Sequence, residues 1–225
     1  MKIMISSDGP HAHYYIRMGW ARVFNAMGHD VGVWDVHEVP AFDAFDEMEP
    51  DIFLGQTYNL DRALFTCIKE RPHLKVVMRA SDWGDMQKDI DKDKYPVLSA
   101  REDEIKWVEK LKEETGKPDF VHNHYTAKWM KVTHNKWKDI GVKPVSLIHA
   151  ADVFDYANGE EKPEYKSDLS FVGGYWEYKA KSIDKYLIPL CKPVGKYNIK
   201  IFGNSDWPVV QYLGSINNDE VKHVF

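Results

Sequence analysis

The chain of 225 residues contains only two cysteines, Cys67 and Cys191, and they lie far apart in the sequence. The pair matches no metal-binding spacing and no disulfide framework, so a zinc module and a disulfide-stapled secreted domain are both excluded. The chain also lacks an apolar run near the roughly 18 residues that a membrane-spanning helix needs, and it begins with a strand pattern instead of a signal peptide. We therefore expect a cytoplasmic protein with no membrane span.

An excess of basic residues is missing as well. The 30 Lys and Arg residues are outnumbered by 35 Asp and Glu residues, which leaves a formal charge of -5. General nucleic-acid binding needs a basic surface, so we expect no nucleic-acid partner. The chain has neither a G-x-G-x-x-G fingerprint nor a Walker loop, which argues against dinucleotide oxidoreductases and P-loop enzymes. Its 44% hydrophobic and 29% charged residues are typical of a globular protein with a sizeable core.

The first 35 residues predict a β-α-β unit. Lys2 to Ser6 forms a short apolar strand pattern, and VGVWD at 31–35 forms the next one. The segment between them has the apolar spacing of one helix face, and Gly28 stands where a helix-ending glycine belongs. That predicted face consists of Ile16, Gly19, Trp20, Val23, Phe24 and Met27. A strand, a helix and a strand at this spacing imply parallel pairing.

The same alternation continues to residue 150. Further strands are predicted at 51–55, 75–80, 119–124 and 145–150, with helices at 59–71, at 99–116 and before Gly141, and an exposed charged loop at 85–96. We therefore expect an α/β protein with one complete Rossmann-like, doubly wound domain at 1–151. A polar linker is predicted at 152–167, and the pattern restarts at 168–225 with two strands. Since two strands make no independent doubly wound sheet, the second domain looks truncated.

The opening stretch SSDGPHAHYY, residues 6–15, has three open interpretations. Asp8, His11 and His13 would ligate a metal ion if Asp82, His124 or Asp152 joined them from other strand ends. Alternatively, Asp8 or His11 would act on a substrate as an acid, a base or a charge stabiliser. The simplest interpretation is a helix cap from Ser7 or Asp8, with solvated histidines.

A second candidate lies in SFVGG, where a strand ends in Gly173 and Gly174 before a helix. Paired glycines at that place allow backbone N–H groups to approach a phosphate at the positive end of the helix. Lys179 and Lys181 would add positive charge. A plain tight turn explains the two glycines equally well.

Several segments together resemble one family. They are MKIMISSDGPHAHYYIRMGWARVFNAMGHDVGVWD at the N-terminus, then AADVFDY, then SDLSFVGGYWEYKAKSIDKYLIPL, IKIFGNSDWP and YLGSINNDEV. Their order and spacing resemble the CgeB-like (spore maturation) glycosyltransferases, which have the GT-B fold. The resemblance covers nearly the whole chain. It implies a GT-B-like arrangement in which the first Rossmann-like domain takes the acceptor and the second takes a nucleotide-sugar donor.

The resemblance also implies roles for individual residues. Donor or phosphate binding is carried over to Gly9, Gly173, Gly174, Lys179, Gly203 and Asn204. His11 in the first loop and Asp82, by strand order, would be catalytic. We add His124 to the catalytic candidates because it ends the predicted strand 119–124 and lies nearer the cleft than His122. Enzymes of this architecture usually need no bound metal, so we expect no metal and no cofactor.

The chain departs from the family at its end, because it stops before the part of the second domain that normally holds the base and ribose. We expect it to be a poor catalyst unless a missing C-terminal half or a partner chain completes it. The acceptor class, whether glycan, protein or small molecule, is left open. Two alternatives also stay open: a metal-dependent hydrolase that uses Asp8, His11, His13 and His124, and a non-catalytic module that binds a nucleotide or a sugar.

Overall fold

The structure, a computed structural model, describes residues 1–9, 12–80, 101–148, 152–156 and 159–225. The chain divides into two compact units, Met1–Ala151 and Asp152–Phe225. Each unit has its own parallel sheet and its own hydrophobic cluster. Within the described ranges, no helix is both long enough and apolar enough to cross a membrane.

The first unit alternates strands and helices. Its strands are β1 (Lys2–Ser7), β2 (Asp30–Asp35), β3 (Ile52–Gln56), β4 (Lys75–Arg79), β5 (Phe120–Asn123) and β6 (Lys143–Ser146). Its helices are α1 (Ala12–Ala26), α2 (Ala41–Met48), α3 (Arg62–Lys69), α4 (Arg101–Thr115) and α5 (Ala127–Thr133), with 3-10 turns at Thr57–Asn59 and Asn135–Lys138. All six predicted strands are present, and α2 is the helix that the sequence pattern did not predict. The predicted loop at 85–96 lies outside the described residues.

The six strands form one parallel sheet in the order β2-β1-β3-β4-β5-β6. β1 pairs with β2 on one side and with β3 on the other. The chain therefore adds β2 on one side of β1 and adds β3 to β6 on the other side. The carboxyl ends of β1 and β3 therefore mark the point where the strand order reverses, which is where open α/β sheets bind ligands. The predicted α/β, Rossmann-like fold class is confirmed.

Both faces of this sheet are buried. One face packs Phe53 against Phe45 of α2 and Trp34 of β2, with ring centroids 5.1 and 6.2 Å from Phe53. The other face packs Ile3 and Ile5 against α1. A sheet covered on both faces needs apolar residues at successive strand positions, which explains the continuous apolar runs in the sequence.

The buried face of α1 differs from the predicted one. Val23 and Met27 are 40% and 64% exposed, whereas Arg17 and Ala21 are only 3% and 5% exposed. The predicted buried face of α1 was partly wrong because apolar spacing alone does not identify a buried charged residue such as Arg17. The predicted end of the helix is confirmed, since Gly28 adopts a φ of +84° there.

The second unit contains a two-stranded parallel sheet. Its elements are α6 (Val153–Tyr156), a 3-10 turn at Pro163–Tyr165, β7 (Leu169–Val172), α7 (Glu177–Tyr186), a 3-10 turn at Ile188–Cys191, β8 (Ile199–Phe202) and α8 (Asn218–Val221). The free edge of β8 is lined by a later segment: Ile201 donates its amide hydrogen to Gln211, and Leu213 donates to Ile201. These bonds satisfy backbone groups that a two-stranded sheet would otherwise expose.

The segment predicted as a linker, 152–167, lies within this second unit. The Lys162 ammonium group is 2.7 Å from the Glu220 carboxylate, and the Tyr165 hydroxyl donates a hydrogen bond to it at 3.1 Å. The Tyr165 ring also packs at 5.7 Å from the ring of Phe202 in β8. The segment is therefore attached to the C-terminal helix and to the sheet.

These contacts predict a pH dependence of stability. The hydrogen bond from Lys162 is the main cause that lowers the pKa of Glu220 below its ordinary value of 4.5. A lowered carboxylate pKa stabilises the fold above the unfolded pKa, and this contribution is lost as the pH falls through the folded pKa. Glu220→Gln should therefore lower the Tm of the second unit slightly at pH 7, and the difference from the native protein should disappear in acid.

Thermal unfolding between pH 7 and pH 3, followed by circular dichroism, measures this difference. Glu161→Gln changes an exposed glutamate of the same segment and is the matched control. A Tm difference for Glu220→Gln that stays the same across the pH range would contradict the assignment.

Candidate functional site

Four polar side chains form a row across the carboxyl end of the first sheet. The strand register places Gln56 beside Arg79 and Arg79 beside His122. Extending the β1–β3 register by two residues places Ser7 beside Gln56. Ser7 and Gln56 are two residues after Ile5 and Leu54, which pack under α1, so the row faces the same helix. We call Ser7, Gln56, Arg79 and His122 the polar row.

The polar row is buried beneath α1. Each of its four side chains is 5% exposed or less, and Arg17 of α1 is 3% exposed. The Trp20 ring of α1 lies over the row, with its centroid 5.4 Å from that of the His122 ring. Buried arginine is rare and costly unless it is paired, so its presence at the end of a sheet needs an explanation.

Part of that explanation is an ion pair at the start of α1. Arg17 Nη1 lies 3.0 Å from Asp8 Oδ1. Asp8 directly follows β1, and Gly9 after it has a φ of +95°, a conformation that favours glycine. The turn at Gly9 therefore allows α1 to lie over the carboxyl end of β1, where Asp8 pairs with Arg17.

Tyr58 connects the two buried arginines. Its hydroxyl accepts a hydrogen bond from Arg79 Nη1 at 3.2 Å, and it also interacts with Arg17. Burial raises the pKa of Tyr58 above its ordinary value of 10.0, and the nearby Arg79 charge only partly offsets this effect. Tyr58 is therefore a neutral hydroxyl at physiological pH, able to donate or accept a hydrogen bond.

Several buried polar atoms here have no hydrogen-bond partner among the described residues. They are the hydroxyl oxygens of Ser6 and Ser7, both amide atoms of Gln56, Asn59 Nδ2 and Arg17 Nη2. All of them belong to the ends of β1 and β3, the turn after β3, and the helix above. An unsatisfied buried polar group costs about 1–3 kcal/mol, so these atoms indicate places for water or for a polar ligand. Ser6 points to the opposite face of the sheet from Ser7 and is not part of the polar row.

A small cavity adjoins the row. Its volume is about 10 Å³, and it is lined by Ile16, Arg17, Trp20, Arg79, His122, His124 and Leu147. That volume holds about one water molecule or one atom group of a ligand. A bound sugar would need most of its atoms outside this cavity, in the direction of the strand-end loops.

A larger hollow of the first unit lies at the opposite edge. It has a volume of about 840 Å³ and is lined at the amino ends of the strands by Asp30, Asp46, Glu49 and Asp51, among others. Lys2 and Arg71 already pair with Glu49 and Asp46 there. Since parallel sheets bind ligands at their carboxyl ends, the polar row is the better candidate in spite of its small cavity.

The structure brings some predicted site residues of the first unit to this edge. His124 lines the cavity, and Asp8 and Gly9 form the turn beside Arg17. His11, Asp82 and the side chain of His13 lie outside the described residues, so their predicted roles stay predictions. Within the described part of the chain, no three His, Cys, Asp or Glu side chains are grouped to hold a metal ion.

Sequence reasoning missed the residues that dominate the site. Gln56 and Tyr58 fall in a predicted strand end, 56–58, but no role was predicted for them. Arg17 and Arg79 were not among the candidates, and His122 was taken for a core or sheet-end residue. A signal was present in KVVMR, where Arg79 continues the inward-facing positions of a buried strand. A charged residue at an inward position of a strand end is worth examining, because burial there has to be compensated.

The predicted phosphate loop of the second unit has a tight packing role. A Cβ atom added to Gly203 would lie 2.1 Å from the Gly173 carbonyl oxygen, and one added to Gly174 would lie 2.3 Å from Trp176 Nε1. The amide of Gly173 donates to Phe202, and its carbonyl oxygen accepts from Trp207 Nε1 at 3.2 Å. The glycines thus allow the two strand-end loops to approach closely.

The other predicted donor residues are accessible. Lys179, near the start of α7, and Asn204, after β8, are both exposed. The amide of Gly203 is already bonded to the Gly214 carbonyl at 2.9 Å. The amides of Gly173 and Gly203 are therefore already engaged within the unit, and among the predicted donor residues Lys179 and Asn204 are the ones with exposed side chains.

The cysteines offer no activated thiol. Both are buried, and burial raises the pKa of Cys67 to about 11. Burial also raises the pKa of Cys191. Because the thiolate is the reactive form, neither residue is suited to nucleophilic chemistry at neutral pH.

Comparison with known proteins assigns no family. No protein-family model matches the chain, and no curated protein matches it. Among solved structures, a phosphoglycerate oxidoreductase from Rhizobium etli aligns over 100% of this chain and 91% of its own length, at 11% identity and a TM-score of 0.23. A likeness at that level supports no conclusion about function.

The packing of the glycine loops gives a direct test. Gly203→Ala should destabilise the second unit, because the new methyl group would overlap the Gly173 carbonyl. We expect faster cleavage of residues 152–225 in limited proteolysis, and Asn204→Ala at the exposed neighbouring position should leave the cleavage rate unchanged. Cleavage of Gly203→Ala at the native rate would show that the loops are not closely packed.

Proposed function

We propose that this protein transfers a sugar from a nucleotide-sugar donor to an acceptor without a bound metal ion, as CgeB-like glycosyltransferases do. The order of the family-like segments along the chain supports the proposal. So does the presence of two α/β units, each with a parallel sheet. The single observation that carries it is the buried polar row at the strand-order reversal of the first unit, the place where such sheets bind ligands.

In this proposal the first unit takes the acceptor. His124 lines the cavity beside the polar row and would remove the proton from the acceptor hydroxyl as that oxygen attacks the anomeric carbon. Tyr58 and the two buried arginines would fix the orientation of the acceptor through hydrogen bonds. Precise orientation of the attacking oxygen contributes strongly to the rate of a transfer reaction.

The second unit would take the donor. The bond between the anomeric carbon and the diphosphate oxygen breaks during transfer, so negative charge develops on the departing diphosphate. Lys179 and the first amides of α7 are placed at the positive end of that helix, where they would stabilise this charge. This role needs no metal ion, which agrees with the proposed metal-independent reaction.

Nucleotide titrations test the proposal. The protein should bind one of the uridine, guanosine or thymidine diphosphates, measured by calorimetry in the presence of EDTA. Lys179→Ala should weaken that binding by about tenfold, the loss expected for one charge-assisted hydrogen bond. Lys185→Ala is the matched control, since Lys185 is an exposed lysine in the last turn of the same helix, far from its positive end.

Each outcome has a defined meaning. Binding of a nucleoside diphosphate that depends on Lys179, followed by sugar transfer or donor hydrolysis, agrees with a glycosyltransferase. The same binding without turnover of any donor would instead favour the non-catalytic binding module. Absence of binding by all three nucleotides, or binding that EDTA abolishes, would contradict the proposal.

A further inference from the structure

The polar row and Arg17 hold an unusual surplus of hydrogen-bond donors in a closed place. Arg17 Nη2, Gln56 Nε2 and the Ser7 hydroxyl are buried and have no partner in the described part of the chain. Each of these residues is 3% exposed or less. Guanidinium and amide N–H groups donate only, so this set calls for a group rich in acceptor atoms.

The charges at this place point the same way. Arg17 and Arg79 are both buried, and both interact with the single hydroxyl group of Tyr58. Asp8 pairs with Nη1 of Arg17 from the side of the turn, while Nη2 of Arg17 is left for another acceptor.

A small cavity next to these donors limits the size of the acceptor. Arg17 lines this cavity, whereas Gln56 and Ser7 lie beside it at the strand ends. Arg17, Arg79, His122 and His124 line it, so its polar walls are guanidinium and imidazole groups. Among the lining residues that the structure describes there is no carboxylate. With about 10 Å³ it takes one or two atoms of a ligand, which fits the oxygen end of a charged group but not a sugar ring.

We propose that the polar row together with Arg17 binds an oxyanion, namely a phosphate or carboxylate group carried by the ligand of the first unit. Arg17 and Gln56 donate to the oxyanion from two sides, and Ser7 donates from the end of β1. The remaining acceptor of Gln56, its Oε1 atom, accepts a hydrogen bond that a hydroxyl group of the same ligand donates. Calling this ligand the sugar acceptor rests on the proposed function, whereas oxyanion binding does not.

Calorimetric titration of the full 225-residue protein with three related sugars tests this inference. Glucose 6-phosphate carries a phosphate, glucuronate carries a carboxylate, and glucose carries neither. We expect one charged sugar to bind and glucose not to bind, and the charged sugar that binds identifies the source of the oxyanion. Equal binding of all three sugars, or no binding of either charged sugar, would overturn the inference and leave the cluster as a hydrated site only.

Variants locate the binding. Arg17→Gln and Gln56→Met should each weaken the binding of the charged sugar by about tenfold, because each removes one donor to an oxyanion. Arg17→Lys keeps the charge without the second donor and should give an intermediate loss. Arg62→Gln removes an arginine from an exposed position of α3 and is the matched control.

Gln56→Met leaves the Asp8–Arg17 pair intact, so it decides the result even if Arg17→Gln does not fold. Native affinity for the charged sugar in Gln56→Met would overturn the assignment to the polar row. The nucleotide titration separates the two proposals. If the protein binds a nucleoside diphosphate but neither charged sugar, the oxyanion site alone is rejected. If it binds a charged sugar but no nucleoside diphosphate, the proposed function alone is rejected.

Discussion

The structure of the first unit depends on how the charge of Arg17 is buried. Arg17 lies on the inner face of α1, where apolar residues would be expected, and it remains there because Asp8 pairs with it at 3.0 Å. The pair joins the end of β1 to the first half of α1. It therefore fixes the turn at Gly9 and sets α1 over the polar row. Removing one partner would leave a buried charge, which usually costs several kcal/mol.

The same constraint explains why the site lies where it does. The strand order reverses between β1 and β3, so the helices that follow these strands leave on opposite faces of the sheet and open a crevice at their carboxyl ends. Ser7 and Gln56 end these two strands, and Arg79 and His122 continue the line along the sheet. Polar residues at these four positions leave the hydrophobic core intact, because the residue two positions earlier in each strand, on the same face, is apolar.

Much of the fold could be predicted from the sequence, because apolar periodicity reports which residues face a core. The six strands of the first unit and the end of α1 at Gly28 followed from this pattern. The short helix α2 was missed because its eight residues include three acidic ones and its apolar stripe, Ala41, Ala44 and Phe45, is brief. The packing of the 152–167 segment was missed because Lys162 and Tyr165 find their partner Glu220 more than 50 residues away.

The site itself was harder to predict. The sequence predicted a site from loop glycines and histidines, because these residues are common in known motifs. Of these, His124 and Gly9 do lie at the carboxyl edge of the first sheet. The polar row was missed because its members come from four strands. Their proximity is a consequence of register, and register cannot be read from one sequence without knowing the strand order.

We infer that the polar row is built for a ligand and is incompletely satisfied without one. Chemical unfolding of Ser7→Ala and Gln56→Met, in the absence of any ligand, tests it most directly. Each variant replaces unpaired buried polar atoms by apolar ones of similar or smaller size. We expect the free energy of unfolding to rise by about 1 kcal/mol for each variant. A decrease of about 1–3 kcal/mol would mean that these groups are already satisfied in the free protein, and it would contradict a role in ligand binding.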